Sequence, residues 1–184
     1  MAVSERYGST AIVLHWLTAA LIVANAILGL SMVPLPLSPR KLQWYLWHKG
    51  IGVTVFLLTA LRLAWRSTHE PPPPAPMPAW QQRAALWAHR AMYVLLFLTP
   101  LSGWLYSSAT GVQVVYLGMV PLPDLVPKDK ALASVLRLVH VGLNLAMFTI
   151  VCVHVVAAVR HHVVDRDGVL ARMLPGLAVR GSAR

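Results

Sequence analysis

The sequence predicts an all-α protein, an integral membrane bundle of four helices that forms a single domain over residues 1–184. Hydrophobic residues make up 57% of the 184 residues and charged residues only 12%, and the mean hydropathy is +0.61. Such a composition argues against a soluble domain. Apolar runs of about 20 residues, the length that crosses a bilayer, occur at 10–33, 47–65, 87–107 and 134–159.

The first two predicted helices are bounded by features that start and stop helices. Ser9 and Thr10 are candidate N-caps, and Pro34 ends the first helix because proline lacks an amide donor. The first run is long and lacks a convincing cleavage site, so we expect it to remain as a membrane anchor. Aromatic residues open the second helix, as at a membrane–water interface: Trp44, Tyr45 and Trp47.

The last two predicted helices follow longer connections. The segment 70–78 is proline-rich, which favours a stiff polyproline II spacer before the third helix. A loop at 113–130 leads to the fourth helix, which carries the single cysteine, Cys152. A lone cysteine forms no intrachain disulfide, so we interpret Cys152 as a packing residue.

The net charge of +10 is best explained as a signal of membrane topology, since the basic residues stand at the ends of apolar runs. This distribution does not form the basic face that a nucleic-acid partner would require. Ten of the 16 basic residues belong to the N-terminus, the second loop and the C-terminal segment: Arg6, Arg62, Arg66, Arg83, Arg90, Arg160, Arg166, Arg172, Arg180 and Arg184. The other side carries Arg40, Lys41, Lys49, Lys128, Lys130 and Arg137. By the positive-inside rule, both termini would lie in the cytoplasm.

Four of the histidines inside the predicted helices form two levels. His140 and His154 are separated by about 21 Å along the helix axis and only about 40° around it, so their rings point to one side near opposite membrane faces. His15 lies at the level of His154, and His48 lies at the level of His140. Because an ionisable ring in a membrane helix needs a partner, the sequence predicts two pairs, His15 with His154 and His48 with His140.

Paired imidazoles from facing helices suit the six-coordinate iron of a b-type haem, which transfers electrons because both axial positions are filled. Zinc fits less well, because it takes four ligands and no carboxylate or second cysteine lies at either level. His89 and His161 are alternative ligands, but their depth is closer to the headgroups, and we interpret them as polar groups around a cytoplasmic-side site. His69 and His162 are expected to be solvated. Small residues beside the ligands would admit a flat macrocycle: Gly50, Gly52 and Gly142.

This pattern resembles the bacterial cytochrome b561 family, and it is most similar to the superoxide oxidase branch of four-helix di-haem proteins. The resemblance covers nearly the whole chain and is carried by Leu14-His15-Trp16, His48, the proline-rich loop, Ala88-His89 with Tyr93, and the ladder His140, His154, His161-His162. It implies two haem b groups, one on His15 and His154 and the other on His48 and His140. It also implies oxidation of superoxide at the outer side and reduction of ubiquinone in the membrane.

Further residues are expected to act at the two ends of the predicted pair of haem groups. Basic side chains at the outer side are expected to attract the superoxide anion, although lipid-phosphate anchoring would place them equally well: Lys49, Arg137, Arg40 and Lys41. A quinone pocket on the cytoplasmic side is expected to use an imidazole and a cation: His161, His89 and Arg160. Two other interpretations remain open. One is a non-catalytic electron-transfer subunit that docks a periplasmic redox protein, and the other is a haem-free protein with a proton-relay role.

Overall fold

The computed structural model describes residues 6–174 and 176–177, so Arg180 and Arg184 of the charge count lie outside the described residues. Within that part of the chain, four helices are long and apolar enough to cross a membrane, which confirms the predicted all-α four-helix fold. They are α1 (Ser9–Met32), α2 (Pro39–Thr68), α3 (Ala79–Thr110) and α4 (Lys130–Arg160). A short antiparallel hairpin, β1 (Val115–Tyr116) and β2 (Val120–Pro121), lies between α3 and α4. A π-helical turn (His161–Asp165) and a 3-10 turn (Leu170–Arg172) follow α4.

The helices α2 and α3 begin earlier than the apolar runs indicate. The helix α2 starts at Pro39, since Ser38 caps it by accepting a hydrogen bond from the Lys41 amide at 3.3 Å and proline suits the first helical position. The helix α3 starts at Ala79, directly after Pro78. The first turns of both helices are polar extensions of the apolar run, which hydropathy alone does not detect. The limits of α1 and α4 agree with the prediction to within about one helical turn.

An apolar core lies between the two histidine levels. Helices that are consecutive in the chain pack against each other, as in an antiparallel bundle. Buried side chains from α2, α3 and α4 form the core: Val55, Leu95, Leu96 and Met147. Along α4, Met147 is about 10 Å from both His140 and His154. Many large apolar side chains outside this core are exposed, including Leu30 at 79% and Leu138 at 71%, as lipid-facing residues would be.

The connection after α3 is fastened to that helix. This end of the bundle, with the first turns of α2 and α4, is called the hairpin end. Gly111 adopts a left-handed φ of 75° as the chain leaves α3. The Ser108 hydroxyl accepts a hydrogen bond from the Leu125 amide at 3.2 Å, and the Trp104 indole donates to the Pro123 carbonyl at 3.0 Å. These contacts hold the loop against the last turns of α3.

The segment after α4 folds back across the opposite end of the bundle, called the tail end. The Trp16 indole N–H of α1 donates to the Met173 carbonyl at 2.7 Å. The Arg172 guanidinium donates to the Pro73 carbonyl in the proline-rich loop at 2.6 Å. The segment 166–174 therefore connects α1, the proline-rich loop and the end of α4.

Candidate functional site

The structure brings His48 of α2 and His140 of α4 together at the hairpin end. Their ring centroids are 6.2 Å apart, and the ring planes are perpendicular at 90°. Both residues are partly buried. Two imidazoles that share one metal ion, with bonds of about 2 Å, have ring centroids roughly 6 Å apart. The observed separation therefore suits one metal ion between these two rings.

Hydrogen bonds orient both rings of this pair. The Nδ1–H of His48 donates to the Asn25 carbonyl of α1 at 3.2 Å. The Nδ1–H of His140 donates to the Thr99 carbonyl of α3 at 3.1 Å, and the Ser102 hydroxyl lies 3.0 Å from the same nitrogen. Metal-binding histidines usually donate the other ring N–H to a carbonyl or carboxylate, which fixes the tautomer. In both residues Nε2 is the nitrogen left for a ligand.

Three imidazoles lie together at the depth of His154, which is called the tail level; the depth of His48 and His140 is called the hairpin level. The rings of His15 and His154 have centroids 6.3 Å apart, close to the separation of the hairpin-end pair. The ring of His89 lies 5.5 Å from that of His154. Along α4, His154 and His161 are about 10 Å apart, so His89 belongs to the level of His154. The sequence predicts that His89 belongs with His161 at a cytoplasmic-side site, whereas the structure places its ring beside that of His154.

The buried nitrogen Nδ1 of His15 has no hydrogen-bond partner among the described residues. A buried polar atom without a partner is costly, and in native proteins such atoms are found at functional sites. Zinc is not favoured at this level. In the described part of the chain, the only group of three His, Cys, Asp or Glu side chains with ligand atoms mutually within 4.8 Å is His161, Asp165 and Asp167.

Two glycines that the sequence reasoning missed face the hairpin-end rings. A Cβ atom on Gly103 of α3 would lie 2.9 Å from Cε1 of His140, and a Cβ atom on Gly29 of α1 would lie 3.2 Å from Cε1 of His48. In contrast, a Cβ atom on Gly50 or Gly142 would have no atom within 4 Å. Gly29 and Gly103 are therefore the glycines that leave room for the two rings.

The sequence contains a signal for these glycines. Each helix carries two functional positions fourteen residues apart, which places them on one face about 21 Å from each other: His15 and Gly29, His48 and Arg62, His89 and Gly103, and His140 and His154. The hairpin level therefore combines two histidines with two glycines. The tail level combines three histidines with Arg62, whose guanidinium carbon lies 5.5 Å from the centroid of the Tyr93 ring.

Substituting Gly103 with alanine is expected to weaken ligand binding at the hairpin end only. The new methyl group would contact His140 at 2.9 Å and push the ring out of line, so we expect metal affinity at that site to fall about 10-fold or more. Absorbance spectra of the purified variant, titrated with haem, would measure this loss. Gly50→Ala is the matched control, because its methyl group meets open space and should leave binding unchanged. Equal losses in both variants would contradict the role of Gly103.

The basic residues predicted at the outer side lie at the hairpin end. Lys49 directly follows His48, and its ammonium donates to the Val112 carbonyl at 3.2 Å, so it is tied to the loop after α3. Arg137 is exposed in the first turns of α4. Arg40 lies over an indole ring of its own helix, and Lys41 donates to carbonyls in the connection between α1 and α2. The positive charge of this end is thus carried by both α2 and α4, the helices that hold His48 and His140.

The tail-end residues predicted for a quinone pocket are only partly brought together. Arg160 and His161 are consecutive at the end of α4, and Arg160 lies 3.8 Å from the Asp165 carboxylate. The Nδ1 atom of His161 lies 2.5 Å from an oxygen of Asp167. His89 contacts the ring of His154 instead.

The residues for which no chemical role was predicted lie apart from the paired rings. His69 is exposed beyond the end of α2 and stacks on Trp65, with ring centroids 3.7 Å apart. His162 is exposed. Cys152 is also exposed, so its side chain contributes to the outer surface of the bundle rather than to its core.

Comparison with known proteins gives matches over almost the full length. The family model described as prokaryotic cytochrome b561 matches residues 6–176. Cytochrome b561 homolog 2 of Escherichia coli K12 is 33% identical over 177 residues, covering 92% of each chain. Cytochrome b561 homolog 1 of the same organism is 29% identical over 176 residues, covering 93% of this chain and 98% of the relative. The probable superoxide oxidase CybB of Yersinia pestis is 26% identical over 176 residues, covering 93% of this chain and 97% of the relative.

Proposed function

This chain belongs to the prokaryotic cytochrome b561 family of haem b membrane proteins that transfer electrons, and on that premise we propose that it oxidises superoxide at its hairpin end and reduces ubiquinone at its tail end. The observation that carries the proposal is the presence of two imidazole pairs, 6.2 and 6.3 Å between centroids, stacked on the two sides of an apolar core. In this proposal the hairpin end faces the periplasm, and both termini lie on the cytoplasmic side of the bacterial inner membrane.

The described residues fit two haem groups. His48 and His140 would hold one group, since both donate Nδ1–H to a backbone carbonyl. His15 and His154 would hold the other, at a similar ring separation. Haem b held in this way by two histidines would supply one-electron transfer.

The proposed reaction balances two one-electron donors against one two-electron acceptor. Two superoxide ions give up two electrons and become two molecules of oxygen, while one ubiquinone takes up these electrons and two protons and becomes ubiquinol. The hairpin end must therefore attract an anion, and the tail end must supply protons. Lys49 and Arg137 provide positive charge next to the hairpin-end ligands, and a focused positive potential raises anion on-rates by about 10 to 10³-fold. His161 and Arg160 are the proposed proton donor and quinone-oxygen partner.

Stopped-flow mixing of the oxidised protein with superoxide tests this function. We expect haem absorbance to change rapidly to the reduced form, faster than with a neutral one-electron donor, and to revert when a short-chain ubiquinone is added. The on-rate should fall with salt because the Debye length shrinks from about 30 Å at 0.01 M to about 3 Å at 1 M.

The salt dependence should require the hairpin-end charges. Lys49→Gln combined with Arg137→Gln is expected to flatten it, whereas Arg83→Gln, at the exposed tail-end part of α3, should not. Haem reduction by superoxide that is no faster than by the neutral donor, or reduced haem that ubiquinone does not reoxidise, would overturn the enzyme function.

A non-catalytic electron-transfer subunit is the second candidate, and one observation favours it. The hairpin exposes a run of large apolar side chains, with Leu117 at 63%, Met119 at 75% and Val120 at 51%. Exposed apolar patches often mark sites of protein or membrane contact. In this candidate the patch docks a periplasmic redox protein, and superoxide would reduce the haem groups no faster than other small donors.

A further inference from the structure

The chain leaves α4 by an unusual route that returns it to His161. After Arg160 the helix widens into a π-helical turn, His161–Asp165, and Arg166 then adopts a left-handed φ of 51°. The amide of Asp167 donates to the His161 carbonyl at 3.3 Å. Single π-helical turns are often found at functional sites, and a non-glycine residue at positive φ is strained. The consequence of this geometry is that Asp167 lies beside His161.

The two side chains form a fixed pair. The Nδ1–H of His161 donates to Oδ2 of Asp167 at 2.5 Å, and Oδ1 of the same carboxylate accepts from the Val169 amide at 3.1 Å. Only 16% of the His161 side chain and 18% of the Asp167 side chain are exposed. The carboxylate is therefore held by the backbone on one side and holds the imidazole on the other.

We propose that Asp167 is a positioning residue that presents Nε2 of His161 to the quinone as a proton donor. This inference rests on the proposed function, in which His161 faces the quinone. With Nδ1–H engaged by Asp167, the protonated ring donates its Nε2 proton to a quinone oxygen and becomes the neutral Nδ1–H tautomer. Water from the tail end then returns a proton to Nε2. The carboxylate stabilises the imidazolium before each transfer, as carboxylates do for catalytic histidines elsewhere.

Asp165 provides an internal comparison. Its carboxylate is 3.4 Å from Nδ1 of His161 and also 3.8 Å from Nε of Arg160. The contact of Asp165 with His161 is longer than the 2.5 Å contact of Asp167, so Asp165 is the weaker of the two carboxylate partners of this ring. Asp165→Asn is therefore the matched control for Asp167→Asn, since it removes one carboxylate charge from the same turn.

Single-turnover kinetics on the intact haem-loaded protein separate the two halves of the reaction. In the first half, superoxide reduces the haem groups, and Asp167→Asn should match the wild type. In the second half, short-chain ubiquinone reoxidises the haem groups. In this half, the maximal rate of Asp167→Asn should fall about 10 to 100-fold. This loss is part of the roughly 10²–10⁴-fold rate increase that a positioned proton donor contributes. The half-saturating quinone concentration should change little. Asp167→Glu should recover part of the rate, and Asp165→Asn should remain near wild type.

A double-variant comparison shows whether Asp167 acts through His161. His161→Gln combined with Asp167→Asn should be no slower than His161→Gln alone, because the positioned group is already absent. Additive losses, or equal slowing by Asp165→Asn and Asp167→Asn, would overturn the inference. The inference would also be overturned if the wild type bound one equivalent of Zn²⁺ and neither Asp165→Asn nor Asp167→Asn did. In that case His161, Asp165 and Asp167 would form a metal site. If the wild type itself is not reoxidised by quinone, the proposed function fails. If the wild type is reoxidised and Asp167→Asn reacts equally fast, only the inference fails.

Discussion

His140→Ala is expected to remove the hairpin-end haem and leave the tail-end haem in place. His140 and His48 form a pair at 6.2 Å, and the apolar core separates them from the other histidine level. About half of the bound haem should therefore be lost, because a haem with one protein ligand is held weakly. Reduction by superoxide should fall to the background rate. The pyridine haemochrome assay measures haem per chain, and the α-band spectrum shows which component remains.

His162→Ala is a suitable control for this variant, since His162 is exposed near the end of α4. It should bind as much haem as the wild type. If His140→Ala loses both haem groups or neither, the pairing of His140 with His48 is wrong.

His15→Ala is expected to remove the tail-end haem, whereas His89→Ala is expected to keep it. His15 lies 6.3 Å from His154, the separation that suits a shared metal ion, while His89 lies closer at 5.5 Å. Both variants remove one imidazole from the same level, so each controls for the other. Spectra and haem content of the two purified variants decide between them. Retention of the haem in His15→Ala and its loss in His89→Ala would assign the ligand to α3 instead of α1.

The four helices follow from hydropathy alone, because a membrane span requires about 20 apolar residues in one run. The starts of α2 and α3 do not, since they depend on local capping outside the apolar run. The Ser38-Pro39 pair is a recognisable helix start signal, but it lies outside the apolar run, so hydropathy does not detect it. The hairpin after α3 is too short to give an alternating pattern that distinguishes it from a loop.

The two histidine pairs could be predicted from depth, because helix rise and direction decide which rings share a level. The sequence missed what lies opposite the rings. Gly29 lies fourteen residues after His15, and Gly103 lies fourteen residues after His89, the same spacing as between His140 and His154. Glycine is so common in membrane helices that its presence alone does not indicate a site. Arg62 follows the same spacing after His48 on α2, but a single arginine near the end of an apolar run is equally explained by membrane topology.

The partner of His161 could not be predicted from local pattern. Asp167 reaches the ring only because the chain passes through a π-helical turn and a left-handed residue at Arg166. Neither feature has a strong sequence signature, since arginine rarely adopts positive φ. The contact depends on the tertiary path of the segment after α4.

A redox titration of the purified wild-type protein, combined with its haem content per chain, tests the central claim most directly. Two stacked histidine pairs predict two haem b groups per chain and two one-electron components, because the hairpin level carries glycines around its pair and the tail level carries Arg62 and a third imidazole. A single haem per chain, with one component that accounts for all of the absorbance change, would contradict a two-site electron path across the membrane.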